Sequence, residues 1–408
     1  MDVNELRKLF PILSIKSAGR DIVYLDNAAT SQRPVQVSDK ILEINNFCNA
    51  NIHRAVHSLA SAATGQYEAA RKAVAEFIGA GAEREIVFTS GTTASVNLVA
   101  FCFGEKFVGN GDEIIVPEAE HHSNLVPWQM LCERKGAILR VLKVLDNGEL
   151  DLDGLERLIS DRTRLIAAAH VSNVLGIVNP VGEIIRIAHS RGVPVLIDGA
   201  QGIVHEKVDV QALDCDFYAF SGHKMFASTG TGVLYGKKRW LDSLPPFMGG
   251  GEMIGSVSFS GTTYADAPYK FEAGTQNISG VPTFVPAISM TKLCREDASL
   301  SQNLVNIRDF VLETLLQDDR IRLFGVPRET SAKIPLFSFA VNGAHHEDLA
   351  LILDKMGIAV RSGQMCAEPL MDRFGVTGML RASFAAYNTM EEAEYFIKSL
   401  DRAIKMLI

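Results

Sequence analysis

The sequence predicts an α/β protein, with a larger part built on an open, mostly parallel central sheet and a smaller α+β part at the C-terminal end. Three observations predict it. Short apolar runs alternate with helical stretches up to Gln276, as parallel strands buried on both faces do. Polar residues stand directly after each run, where open sheets collect their ligands. After Gln276 the rhythm changes to longer helical stretches around fewer runs. The expected division puts residues 20–285 in the large domain and residues 1–19 and 286–408 in the small one.

The elements follow in order. A short helix near residues 3–10 is expected to pack on the small domain. A helix over 62–80 precedes EIVFTS (85–90), EIIVPE (113–118) and RLIAAAHVS (164–172), each read as a strand. A helix over 182–191 leads to VPVLIDGA (193–200), DFYAF (216–220) and GVLYG (232–236), all read as parallel strands. Beyond them lie a long helix over 286–317, a strand pair near KIPLFSFAV, a helix over 346–356 and a closing helix over 390–407.

Composition narrows the function. With 47% hydrophobic residues, 22% charged residues and 33 Gly, the chain is globular rather than disordered or collagen-like. A formal charge of -8 without a Lys/Arg run argues against nucleic acid as partner. The first residues hold no signal-peptide core, and no segment reaches the ~18 apolar residues of a membrane span. A cytoplasmic small-molecule enzyme is expected. Cys48, Cys102, Cys132, Cys215, Cys294 and Cys366 form no C-x-x-C pair, which fits neither a disulfide scaffold nor a zinc ribbon.

Several residues could carry chemistry. Ser90 to Ser95, SGTTAS, follows a strand and opens a helix, so its hydroxyls and free amides could hold a phosphate; by itself it reads equally as an ordinary helix cap. It is neither a P-loop nor a G-x-G-x-x-G turn. Asp198 ends the apolar VPVLI, and Lys224 follows the aromatic DFYAF run in SGHK. A lysine able to form a Schiff base, with a carboxylate to protonate a pyridine nitrogen, is what a protein supplies to use pyridoxal phosphate. His121 and His122 are adjacent, which disfavours joint metal binding; His121 reads as a ring stacked on the pyridine and His122 as solvent-facing or supporting. Cys366 sits on a loop bracketed by Gly363 and Pro369 and read as mobile, where Arg361 could favour a thiolate. Arg381, emerging from an apolar stretch, suits bidentate capture of a carboxylate or a structural ion pair.

Six stretches, SGHK, DGAQ, AEHHSNLVPWQ, HVSNVLG, FEAGTQN and RSGQMCAEPL, closely resemble the cysteine desulfurases over nearly the whole chain. They look most like the second group, the SufS and CsdA type. The resemblance implies a fold-type I, class V aminotransferase-like enzyme that uses pyridoxal 5'-phosphate and works as a homodimer. By position it implies that Lys224 carries the cofactor covalently and moves protons at the substrate α-carbon, that Asp198 keeps the pyridine nitrogen protonated, and that Gln201 bonds the phenolic oxygen. His121 would stack on the ring. Thr93, Ser221 and His223 would hold the phosphate, joined by Thr275 from the other subunit. Asn173 and Arg381, with Arg361 beside them, would bind the substrate carboxylate. Cys366 would take sulfur from L-cysteine, leaving L-alanine, and pass the persulfide to an acceptor protein of the SufE, CsdE or SufU type for Fe-S cluster assembly or other sulfur metabolism. Selenocysteine lyase or cysteine sulfinate desulfinase activity is the alternative. The chain departs from the family at Gln364-Met365, where many members carry one or two histidines before the cysteine, and neither residue can shuttle a proton.

Overall fold

The computed structural model describes residues 1–17 and 19–408. Helix α1 (Val3–Arg7) leads to β1 (Lys16–Ser17), β2 (Arg20–Asp21) and β3 (Val23–Tyr24), and helices α2 (Val35–Phe47) and α3 (Ser58–Phe77) follow. Strands and helices then alternate through β4 (Ile86–Thr89), α4 (Thr92–Phe107), β5 (Glu113–Pro117), α5 (Val126–Lys135), β6 (Ile138–Leu142), α6 (Leu152–Leu158), β7 (Thr163–Ala169) and α7 (Val181–Ser190). Next come β8 (Val195–Asp198), the single turns α8 (Gly202–His205) and α9 (Val210–Leu213), β9 (Phe217–Ser221), β10 (Gly232–Gly236), α10 (Lys238–Ser243) and a hairpin of β11 (Ile254–Ser258) and β12 (Gly261–Tyr264). The rest comprises α11 (Phe284–Glu296), α12 (Ala298–Leu316), β13 (Ile321–Phe324), β14 (Leu336–Val341), α13 (His346–Lys355), β15 (Ile358–Ala359), β16 (Arg361–Gly363), α14 (Glu368–Phe374), β17 (Met379–Ser383) and α15 (Met390–Leu407).

The main sheet has seven strands in the order β4-β10-β9-β8-β7-β5-β6. Strands β9, β8, β7, β5 and β6 are parallel, whereas β10 runs antiparallel to both its neighbours. The parallel reading of GVLYG is therefore corrected. Only residues 222–231 separate β9 from β10, and a parallel return needs a crossover of about a dozen residues or more.

Burial explains the apolar runs. Every residue of β8 and β9 is buried, and alternate side chains enter opposite layers: Val195 and Ile197 one, Leu196 the other. Strand β6 was not anticipated from the sequence. It lies at the sheet edge and exposes Ile138, Arg140 and Val141, so it lacks the continuous apolar character of its neighbours.

A second sheet, β13-β14-β17-β16, is antiparallel throughout. Phe337 and Phe339 of β14 and Leu380 and Ala382 of β17 share an apolar cluster with Phe396, Leu400 and Ile404 of α15. The long helix expected over 286–317 is two helices. Asp297 interrupts it, accepting the N–H groups of Ser299 and Leu300 as the cap of α12. The chain's beginning joins this region: Arg7 donates to the Tyr387 carbonyl at 2.7 Å and pairs with Glu392, and Val23 pairs in register with Ile358. Among the described residues no helix is long and apolar enough to cross a membrane.

One buried ion pair ties α3 to the sheet and to the FEAGT segment. Arg71 donates through Nη1 and Nη2 to the two Glu272 oxygens at 2.7 and 2.8 Å, and the Phe88 N–H donates to the same carboxylate at 2.7 Å. Arg71 also donates to Glu68 and to the Ile86 carbonyl, so Glu272→Ala takes one of two carboxylate partners from a buried guanidinium and leaves the Phe88 N–H without its acceptor; it is expected to lower unfolding free energy by about 3 kcal/mol, measured by denaturant titration. The double replacement Arg71→Met with Glu272→Leu removes both buried charges but leaves the Ile86 carbonyl and the Phe88 N–H without these partners, and is expected to recover only part of that loss.

Candidate active site

The carboxyl ends of the parallel strands open on a cavity of about 300 Å³. Its wall holds Thr93, His121, Asn173, Asp198, Gln201, Ser221, His223, Lys224, Arg361, Cys366 and Arg381. Thr275 stands apart, lining a different cavity with Ser90 and Gln276.

Asp198 ends β8, while Lys224 closes the single turn of 3-10 helix that follows β9, so neighbouring strands deliver both side chains to one rim. Asp198 is buried and accepts the Ala200 N–H at 2.9 Å. Burial raises its pKa, with the Ala200 bond and the Lys224 charge opposing the shift. Burial likewise lowers the pKa of Lys224, against the attraction of Asp198. Loss of water thus favours the neutral form of each. A depressed ammonium pKa leaves an amine available as a nucleophile.

His121 has its pKa brought down to about 4, first by burial and then by the charges of Lys224, His122 and Arg381. Its Nδ1 accepts the Ser123 N–H at 3.0 Å, which assigns the ring proton of the neutral form to Nε2. The result is a flat, uncharged imidazole over the cavity. Next to it, Glu120 is buried and accepts from Asn124 Nδ2 and the Ala169 N–H. Burial pushes its pKa up to about 8.

The opposite end of the cavity suits an anion. Helix α4 is capped by Gly91, which supplies no side-chain cap, so the positive end of the helix, with the Thr93 and Ala94 amides free of backbone partners, stands beside the Thr93 and Ser221 hydroxyls and His223. Ser221 Oγ accepts the Thr92 N–H and lies 2.8 Å from Thr92 Oγ1; Thr93 Oγ1 is 2.8 Å from Ser123 Oγ. The backbone must come close here. A Cβ on Gly232 would lie 2.4 Å from Gly91 Cα, so β10 can pass the helix start only as glycine.

The second sheet closes the cavity. Arg381 is buried; its Nη1 donates to the Asn173 carbonyl at 2.8 Å and its Nη2 to Asp26 at 3.2 Å, while its Nε has no partner. A buried unpaired donor is unfavourable; what Arg381 offers a carboxylate in the cavity is its charge. Gln201 Nε2 donates to the Ala28 carbonyl at 2.7 Å, which orients its amide.

Cys366 is exposed, unlike Cys102, Cys132, Cys215 and Cys294. Its segment, read from sequence as mobile, is anchored by hydrogen bonds: the His122 N–H donates to the Cys366 carbonyl at 2.7 Å, His122 Nε2 accepts the Glu368 N–H at 3.1 Å, and Asn173 Nδ2 donates to the Met365 carbonyl at 2.9 Å. Met365 and Cys366 both adopt left-handed backbone, φ 54° and 55°. His122, read from sequence as solvent-facing or supporting, thus fastens the cysteine segment, a partner the sequence did not name. Sequence reasoning missed Asp26, although that residue follows IVYL as Asp198 follows VPVLI, the signal already used once.

The family model for aminotransferase class-V matches residues 23–396. A probable cysteine desulfurase of Vibrio cholerae is 44% identical over 407 residues, covering 100% of both chains. The solved cysteine desulfurase CsdA of Escherichia coli, in an S-sulfonic acid form, superposes with a TM-score of 0.90 at 39% identity and covers 100% of both chains. An apo cysteine desulfurase of Thermococcus onnurineus does so with 0.92 at 38% identity, covering 99% of this chain and 98% of its own.

A pH dependence follows from the histidines. Burial brings His121, His170, His205 and His223 each down to about 4, from 6.5. Between these values the unfolded chain binds protons that the folded chain does not, so stability is present above pH 6.5 and is lost as pH falls toward 4. Each histidine held neutral adds a slope approaching about 1.4 kcal/mol per pH unit. Denaturant titrations at stepped pH are expected to show this fall, and His170→Gln to flatten it.

Proposed function

The chain belongs to the aminotransferase class-V family, among the cysteine desulfurases, and from that premise we propose that it converts L-cysteine to L-alanine with pyridoxal 5'-phosphate, holding the sulfur as a persulfide on Cys366. The observation that carries the reading is one cavity lined by a lysine of depressed pKa, a buried aspartate, a buried arginine and an exposed cysteine.

The donor set fits the cofactor. Lys224 would hold it covalently, Asp198 its pyridine nitrogen and Gln201 its phenolic oxygen. His121 would lie on the ring. Thr93, Ser221 and His223 with the start of α4 would take the phosphate, with Thr275 contributed from the other subunit. When bound, pyridoxal phosphate supplies an electron sink for the pair left on the α-carbon as its proton departs.

The chain's own groups do the rest. Arg381 and Arg361, with Asn173, hold the substrate carboxylate, which fixes the α-carbon beside Lys224. Lys224, with free-amine character, takes the α-proton and returns protons to carbon. Cys366 attacks the substrate sulfur as a thiolate: an S–S bond forms as the C–S bond breaks, and the released carbon takes up a proton to become the methyl of alanine. Gln364 and Met365 cannot supply protons, so acceptor-free turnover is slow, and an acceptor protein of the SufE, CsdE or SufU type accelerates it by removing the persulfide toward Fe-S cluster assembly or other sulfur metabolism. A homodimer is supported by the β11–β12 hairpin, which leaves Phe259 fully exposed and Val257 62% exposed. We place the enzyme in the cytoplasm and retain the division into a large domain, 20–285, and a small one, 1–19 with 286–408.

Two experiments test this. Lys224→Ala is expected to abolish borohydride-trapped cofactor; an unchanged adduct would overturn the covalent role. Cys366→Ser is expected to abolish alanine formation from cysteine while leaving the cofactor's visible absorption, and peptide mass mapping of the unmodified enzyme to find persulfide on Cys366 alone. Burial raises the pKa of Cys102 to about 12, of Cys132 to about 11 and of Cys294 to about 12, and raises that of Cys215 too, keeping them as thiols. Retained selenocysteine turnover in Cys366→Ser would favour the lyase reading as the main activity.

A further inference from the structure

Arg361 and Arg381 are direct partners across the antiparallel β16–β17 pair. Residues opposite each other in such a pair project to the same face, and like charges there repel. Two guanidiniums are thus held side by side, one of them buried, and something must offset their repulsion. Asp26 does so. Arg361 donates to it through Nε at 3.0 and 3.1 Å and through Nη2 at 2.8 Å, and Arg381 through Nη2 at 3.2 Å.

The backbone delivers Asp26 to this point. Leu25 N–H donates to the Ala359 carbonyl at 2.8 Å, the Ser383 N–H donates to the Leu25 carbonyl at 2.7 Å, and Asp26 bridges to Ser383, two residues beyond Arg381. The segment is therefore pinned between β15, which ends two residues before Arg361, and β17, which carries Arg381. Its carboxylate is only 15% exposed.

The two arginines are not held alike. Arg381 keeps the Asn173 carbonyl whatever happens to Asp26. Arg361 is 46% exposed, and among the described residues Asp26 is the only acceptor its side chain engages. Without Asp26, repulsion from Arg381 and the pull of water both turn Arg361 outward.

We propose that Asp26 is the positioning residue of the substrate-carboxylate clamp: it holds Arg361 beside Arg381 and neutralises one of their two charges, leaving a net single positive charge for one carboxylate. This rests on the reading of the two arginines as that clamp. It assigns the clamp a charge count: two guanidiniums, one resident carboxylate and one incoming carboxylate.

The test compares Asp26→Asn, Arg361→Gln and the double variant as holoenzymes, by steady-state kinetics with L-cysteine and by calorimetric binding of L-alanine, which has no sulfur to lose. Asp26→Asn is expected to raise KM and the L-alanine Kd about tenfold, with kcat lowered less than about threefold, since the effect falls on binding rather than on the reacting atoms. Adding Asp26→Asn to Arg361→Gln is expected to raise KM by no more than about threefold further, because Asp26 acts largely through Arg361. Should Asp26→Asn alone fail to fold, the double variant, freed of one unpaired cation, carries the comparison. KM and Kd within about twofold of the unmodified enzyme, or a full further tenfold loss in the double variant, overturns the proposal. Alanine and persulfide formation by the unmodified enzyme keeps the parent reading standing in either case, and their absence sinks that reading instead.

Discussion

Everything at this site depends on keeping an amine and a carboxylate away from water at the rim of one sheet. Lys224 and Asp198 come from adjacent parallel strands, and burial opposes the charge of each. Neither would be tolerated in an apolar core alone, because an isolated buried charge is strongly unfavourable. Each lessens the other's penalty, and the cavity between them is the space where a third polar group completes the arrangement. The strand order makes this inexpensive in conformational terms. Parallel neighbours place their carboxyl ends at the same edge, so two residues 26 positions apart in sequence meet without a long loop.

The second sheet supplies the opposite chemistry. Where the main sheet brings groups that burial drives toward neutrality, β16 and β17 bring guanidiniums that stay charged. The division separates two tasks in space: nucleophile and proton movement at one wall, recognition of an anion at the other. Asn173 joins them, since its carbonyl receives Arg381 and its amide holds the Met365 carbonyl. A displacement of the arginine is therefore felt in the backbone beside Cys366.

What was legible in the sequence was local. Asp198, Lys224 and the SGTTAS helix start stand at the ends of buried strands, and a run buried on both faces announces itself as continuous apolar sequence. The direction of β10 was not legible from its own residues, because GVLYG suits a buried strand of either sense; only the short link before it decides. Strand β6 was hidden by its edge position. Asp26 stands at the end of an apolar run and His122 reads as solvent-facing or supporting, but the partners of both lay beyond reach for another reason. Their importance comes from partners 335 and 246 residues away, and no local pattern distinguishes a carboxylate that will meet two arginines from one that caps a turn. The break at Asp297 was readable, since an aspartate before Ala-Ser-Leu is an ordinary helix start, yet the apolar periodicity on either side concealed it.

The fastening of the Cys366 backbone limits how far its sulfur can travel. With its own carbonyl and that of Met365 both engaged, the residue retains one freely rotating bond, χ1, and so about three staggered positions for the sulfur. These lie within a few ångströms of one another. A thiol on a long free loop could swing from the interior to a distant docking face, carrying its cargo with it. This one cannot: whatever collects the sulfur must bring its own reactive atom to the mouth of the cavity, so the length of the journey is set by the visitor's shape rather than the host's.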